Sequence, residues 1–150
     1  MIEKFKNILA LTILAAISIS CSTALLNDEE TVLDGEFAIV VNGVVSDVVS
    51  NAPIKDIQVT FSAFATNSLS VMPLISKTMS TKSDGTYSFK VFGFSDPVTC
   101  KITAMSKEDA ENRYETMTNK VVVTWEGNSY DPDSKTFFVN DCNFQMEKED

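Results

Sequence analysis

The sequence predicts an all-β domain, a seven-stranded antiparallel sandwich over residues 36–150. Three observations lead there. Seven short runs alternate apolar and polar residues with the period of a half-buried strand. Turn-forming residues stand between the runs. No stretch carries a convincing helical period, and only Lys107–Glu115 is expected to form a helical turn or two.

The first run places Phe37, Ile39 and Val41 on one face. The second places Ile57, Val59, Phe61 and Ala63 on one face, with Gln58, Thr60 and Ser62 opposite. A short third run covers Ile75–Thr81. Tyr87, Phe89 and Val91 follow the turn Ser83-Asp84-Gly85. Val98, Cys100, Ile102 and Ala104 alternate with Thr99, Lys101 and Thr103. Val121, Val123 and Trp125 form the sixth run, and Phe138, Cys142, Phe144 and Met146 share a phase in the seventh. The expected core is Ile39, Val45, Ile57, Val59, Phe61, Tyr87, Phe89, Ile102, Val123, Phe138 and Phe144. Seven short strands with turns between them make a sandwich.

Residues 1–20 stand outside this domain and read as a signal peptide. Lys4 and Lys6 are followed by the apolar run Ile8–Ile17 and then by small residues. That run is too short to span the roughly 30 Å of a bilayer's hydrocarbon as a helix. Ile17-Ser18-Ile19-Ser20-Cys21 resembles a bacterial lipobox, which makes Cys21 the expected lipidation site and first mature residue. Leu is usual where Ser18 stands, and Ser18-Ile19-Ser20 also fits an ordinary signal peptidase site. Ser22 rather than Asp follows the cysteine, which points to the outer membrane. Residues 21–35 then form a lipidated, acidic tether containing Asp28-Glu29-Glu30. That triplet resembles an acidic surface-export signal and reads equally as a solvated linker. The expected address is exported, as an outer-membrane lipoprotein facing the periplasm or the surface.

Removing Glu3, Lys4 and Lys6 from a total of 12 basic and 21 acidic residues leaves 10 and 20, a net charge of −10. Such a surface repels phosphate backbones, so nucleic acid is excluded as a partner. With Cys21 lipidated, Cys100 and Cys142 remain as an even pair in an oxidising compartment. Both lie in phase with core residues, and a Cys100–Cys142 disulfide is expected.

Two segments carry a family resemblance. Gly43-Val44-Val45-Ser46-Asp47, followed by Ala52-Pro53-Ile54-Lys55-Asp56-Ile57-Gln58-Val59, resembles the opening of carboxypeptidase regulatory-like domains. Thr81-Lys82-Ser83-Asp84-Gly85-Thr86-Tyr87-Ser88-Phe89 resembles their second signature. These domains are transthyretin-like (prealbumin-like) Greek-key sandwiches, and the resemblance implies that fold. Asp56 stands where the family usually has Gly, which requires Asp to adopt a turn conformation there. The whole chain is also similar to small lipoproteins encoded beside radical-SAM enzymes.

Chemistry is mostly excluded by what the chain lacks. It has no histidine, which removes Ser-His-Asp and Cys-His catalysis and histidine-ligated metals. Its five glycines form no phosphate loop. Glu108, Asp109 and Glu111, or Asp131 and Asp133, supply carboxylates in turn-rich stretches, where they read as solvated loop charge. They lack EF-hand spacing. No enzyme, no metal and no cofactor are therefore expected. Trp125 shares its phase with Val121 and Val123 and reads as core. Tyr114 and Tyr130 fall in loops and are the better sugar-facing candidates. The insertion Asn67–Leu74 contains Leu69, Val71 and Met72, which read as a contact surface or as a cap on the sandwich.

The reading is of a non-catalytic, lipid-anchored cell-envelope protein that acts as a structural or interaction module. Its partners are the membrane, through the anchor, and an envelope protein or glycan. One alternative is a glycan-binding accessory of a nutrient-capture system, which predicts a planar row of exposed aromatics. Others are a surface-fibre subunit completed by a neighbour's strand, and a substrate of a neighbouring radical-SAM modifying enzyme.

Overall fold

The computed structural model describes residues 35–66, 71–96, 98–126 and 129–149, and Cys21 and Leu69 lie outside them. The described residues belong to one unit, residues 31–150. They form an all-β structure of two sheets. The strands are β1 (Phe37–Asp47), β2 (Gln58–Ala65), β3 (Ile75–Ser80), β4 (Thr86–Phe94), β5 (Val98–Met105), β6 (Met117–Val123), β7 (Ser129–Asp131), β8 (Thr136–Val139) and β9 (Phe144–Met146). One sheet runs β3-β2-β5-β6 and is antiparallel throughout. The other runs β4-β1-β8-β7, with β9 also paired to β1.

Two expectations are corrected here. The described strands number nine rather than seven. The seventh expected run is broken into β8 and β9, and β7 is an additional short strand paired to β8. The sandwich is also not wholly antiparallel, because β8 and β9 both run parallel to β1. Both sit on the edge of β1 that β4 leaves open.

The break between β8 and β9 has a local cause. Phe137 and Val139 are buried, and then Cys142, Phe144 and Met146 are buried. The inward phase changes from odd to even numbers across Asp141, whose φ is +59°. One extra residue in a strand turns every later side chain to the opposite face. Phe138, expected in the core, is therefore only half-buried, and Phe137 takes its place. The other ten expected core residues are buried.

The alternation of β2 and β5 is regular, and it builds the core. Val59, Phe61, Ala63, Cys100, Ile102 and Ala104 are fully buried, while the residues between them face outward. Opposite them, Tyr87, Phe89 and Val91 of β4 close the layer. Phe61 and Phe89 meet across the sheets, with ring centroids 5.7 Å apart. Such pairs contribute about 0.5–1.5 kcal/mol beyond the area they bury.

Turn chemistry agrees with the sequence. Gly85 has φ +73°, and its N–H donates to the Lys82 carbonyl at 2.9 Å, closing the turn before β4. Asp56 has φ +62°, the left-handed conformation expected of it. Thr81 fastens this corner. Its hydroxyl donates to the Ile54 carbonyl at 2.7 Å and accepts from the Ile57 N–H at 3.0 Å. The expected helical turns over Lys107–Glu115 are absent: the segment is turn and bend, with Tyr114 bridged to Lys148.

Candidate functional site

The ends of the sandwich differ in character. At one end, Phe37 begins β1, Phe94 closes β4, and Ala65, Val98 and Val123 stand in register on β2, β5 and β6. Aromatic rings of the β4-β1-β8-β7 sheet converge there with Trp125. Trp125, just past β6, meets Phe37 edge-on at 5.3 Å and Phe137 at 4.9 Å. Tyr130 of β7 packs on Phe137 at 4.6 Å and meets Trp125 at 5.5 Å.

Trp125 corrects the sequence reading. Its phase marked it as core, but β6 ends at Val123, so the alternation no longer applies two residues later. Its ring rests on buried Phe137 while 53% of the residue remains exposed. Tyr130 is 37% exposed beside it. The two rings stand at 81° to one another, so they form a corner and not the planar row that a flat sugar platform needs.

The loop from β2 to β3 rises from this same end. It presents Val71, 91% exposed, and Met72, 74% exposed, followed by Leu74. Of the expected contact residues, Val71, Met72 and Tyr130 are therefore brought to one end of the domain. Tyr114 is not among them. It lies at the opposite end, partly buried against the core, with its N–H donating to the Ser106 hydroxyl at 2.8 Å. Residues 35 and 36, which lead into β1, also lie at the apolar end. The signal that sequence reasoning missed was Trp125, and the strand's end was what concealed it.

The opposite end is acidic. A cleft of about 560 Å³ there is lined by Asp47, Asp56, Lys107, Asp109, Glu111 and Tyr114, among others. Its best-ordered carboxylate serves the backbone. Asp47 accepts from the Ser50 N–H at 2.7 Å, the Ser50 hydroxyl at 2.8 Å and the Val49 N–H at 3.0 Å. These bonds, the Ser50 N–H foremost, hold its carboxyl below the ordinary range. Asp131 is held low in the same way by the Ser134 hydroxyl and the Asp133 N–H. A general acid needs the opposite shift. Among the described residues, no group of three or more His, Cys, Asp or Glu side chains is placed to hold a metal.

The expected disulfide is corrected. Cys100 and Cys142 are both buried, but both are free thiols. Cys100 faces inward between Ala63 and Val121. Cys142 lies in the break between β8 and β9, and its sulfur accepts from the amide of Asn119 on β6 at 3.8 Å. A shared inward phase brings two side chains into one core without bringing their sulfurs to bonding geometry. Burial, with Cys142 nearby as a lesser cause, pushes the Cys100 thiol up to about 12.

No family model and no curated protein matches the chain. Solved structures do match in fold. The 3-chlorocatechol 1,2-dioxygenase of Rhodococcus opacus 1CP superposes with a TM-score of 0.52 at 13% identity, covering 77% of this chain and 62% of that one. The chain thus spans less than two thirds of that enzyme's length. The dioxygenase domain of a dioxygenase–carbohydrate-binding protein fusion from the cellulolytic bacterium Streptomyces sp. SirexAA-E gives 0.51 at 11% identity, covering 75% and 82%. The expectation that the chain is no enzyme is corrected by this likeness, because both of these structures are of dioxygenases. At these identities the likeness is one of fold, and it assigns this chain no reaction.

Proposed function

We propose that the chain is a lipid-anchored outer-membrane protein whose sandwich acts as an interaction module through its apolar end, against a neighbouring envelope protein. One observation carries this reading. Val71, Met72, Leu74, Trp125 and Tyr130 are solvent-facing at the end where residue 35 leads back toward Cys21. Exposed apolar groups gathered at one place, rimmed by polar surface, mark contact sites. The fold reading belongs with it. Taking β8 and β9 as one interrupted strand and setting β7 aside leaves seven strands, in orders β3-β2-β5-β6 and β4-β1-β8/β9, consistent with the transthyretin-like plan.

The test has two arms. Cys21→Ser should move the protein from the membrane to the soluble periplasmic fraction or the medium, and unchanged fractionation would sink the anchor. A photo-crosslinking residue at position 71 should give one discrete adduct in intact cells, and the same residue at position 109 should give none. Absence of an adduct at 71 would remove the apolar end as a contact site.

A second reading, a glycan-binding accessory, is favoured by the exposure of Trp125. Its half-free indole face is large enough for one sugar ring to stack. Trp125→Ala would then abolish glycan retention while leaving the position-71 adduct in place.

A further inference from the structure

One of the two sheets of this domain is free of acidic residues, and the consequence is specific. The outward positions of β2, β3, β5 and β6 carry no Asp or Glu at all. Yet the mature chain is expected to hold twice as many acidic as basic residues. On this face, Lys101 of β5 stands directly opposite Lys120 of β6. Like charges in directly paired positions repel and weaken a sheet. Neither lysine has a salt bridge to a carboxylate among the described residues.

The lysines sit in an ordered hydroxyl surface. One row crosses the whole sheet as Thr78, Thr60, Thr103 and Thr118. The hydroxyls of Thr60 and Thr78 bond at 2.9 Å, and those of Thr103 and Thr118 at 3.1 Å. The adjacent row reads Ser76, Ser62, Lys101 and Lys120, with Ser62 and Ser76 bonded at 3.0 Å. Each bonded pair uses one of its two hydroxyl hydrogens, so each keeps a donor and free lone pairs for a ligand. Beside the lysines is a shallow depression lined by Phe64, Thr99, Lys101, Thr118 and Lys120.

We propose that this face binds an acidic polysaccharide, with its carboxylate or sulfate groups on Lys101 and Lys120 and its sugar hydroxyls along the threonine and serine rows. Charge complementarity selects the anion: two adjacent ammonium groups on a surface without carboxylates create a local positive field on an acidic protein. The width of the hydroxyl surface selects the chain. A lone phosphate would engage the lysine pair and leave the threonine row unused. A row of exchangeable donors and acceptors across four strands suits an extended polyhydroxylated ligand. The depression reaches the apolar end at Ala65, but the lysine and hydroxyl rows lie on the sheet face and do not depend on the anchor.

Dextran sulfate and unmodified dextran share a backbone and differ in charge, which makes them the probes, with polygalacturonate as the carboxylate counterpart. In affinity electrophoresis at low salt, the full chain should be retarded by dextran sulfate or polygalacturonate and not by dextran. Lys101→Gln/Lys120→Gln should weaken retardation about tenfold, whereas Lys55→Gln/Lys148→Gln, at the acidic end, should leave it unchanged. Thr60→Val/Thr103→Val should weaken it with the lysines intact. The lysine double variant should also melt no lower than the parent, since it relieves a repulsion. Equal retardation by dextran and dextran sulfate would overturn the proposal. So would equal losses in the two lysine double variants, an unaffected threonine variant, or complete displacement by inorganic phosphate at matched ionic strength.

Discussion

The Tyr87 hydroxyl donates a buried hydrogen bond to the backbone carbonyl of Cys142, 55 residues later in the chain. The bond fastens the break between β8 and β9 to β4 across β1. Gly43 lies between them on β1. A Cβ there would stand 2.6 Å from the Tyr87 hydroxyl and still closer to the Cys142 carbonyl oxygen. The glycine of the first family-like segment is thus required by a close approach of two backbones and one ring. Burial and this hydrogen bond together raise the Tyr87 pKa, keeping the phenol protonated as a donor.

Tyr87→Phe should therefore destabilise the domain by about 1–3 kcal/mol, the cost of leaving a buried carbonyl without its donor. Gly43→Ala should cost at least as much, because Cys142 backbone must move. Urea denaturation monitored by Trp125 fluorescence measures both. A Gly43→Ala variant as stable as the parent would contradict the close approach.

The phase change at Asp141 gives a paired test. Phe137→Ala should cost about 3–5 kcal/mol, as expected for a buried aromatic. Phe138→Ala should cost roughly 1 kcal/mol or less, in line with a half-buried outward position. Chemical denaturation of the two variants decides it, and equal losses would place the extra residue elsewhere.

This pair also shows what the sequence could and could not reveal. Alternation identified β1, β2, β4 and β5 because each is long and one-sided, so that a register error would expose a whole apolar face. It misplaced Phe138 because both Phe137 and Phe138 are apolar and the resetting residue, Asp141, carries no hydrophobic signal. Trp125 was misread because alternation cannot announce where a strand stops. The bond between Cys100 and Cys142 was expected from an even pair in an oxidising compartment and from shared phase, which fixes direction and not separation. The lysine pair was visible as two lysines, but register, which only pairing reveals, made them neighbours.

Asp56 adopts φ +62°, where an L-residue is strained and glycine is not. Asp56→Gly should stabilise the domain by about 0.5–1 kcal/mol, since its N–H bond to the Thr81 carbonyl at 3.1 Å is kept. Thermal melting of the variant checks this, and a lowered midpoint would contradict it.

Acid sensitivity follows from Asp47, Asp84 and Asp131, whose carboxyls are held below the usual 3.8 by hydrogen bonds from Ser50, Thr86 and Ser134 respectively. A pKa lower in the folded chain than in the unfolded one stabilises the fold above the unfolded value. That contribution is lost as pH falls below 3.8 and through the folded values. The carboxyl resonances of these residues should titrate with midpoints below 3.8. A midpoint at or above that value for Asp84, which accepts from the Thr86 hydroxyl at 2.6 Å, would contradict the geometry.

Cys100 and Cys142 should resist thiol reagents in the native state at neutral pH, given their burial and the raised Cys100 pKa. Denaturation without reductant should release two reactive thiols. Fewer than two would show that the protein carries a bridge.

The proposed lipid on Cys21 underlies both the proposed address and the proposed tether. Mass spectrometry of the N-terminal peptide of the mature protein, purified from membranes, tests it most directly. The account predicts that the peptide begins at Cys21 and carries acyl chains on that residue. An N-terminal peptide with an unmodified Cys21 would contradict it.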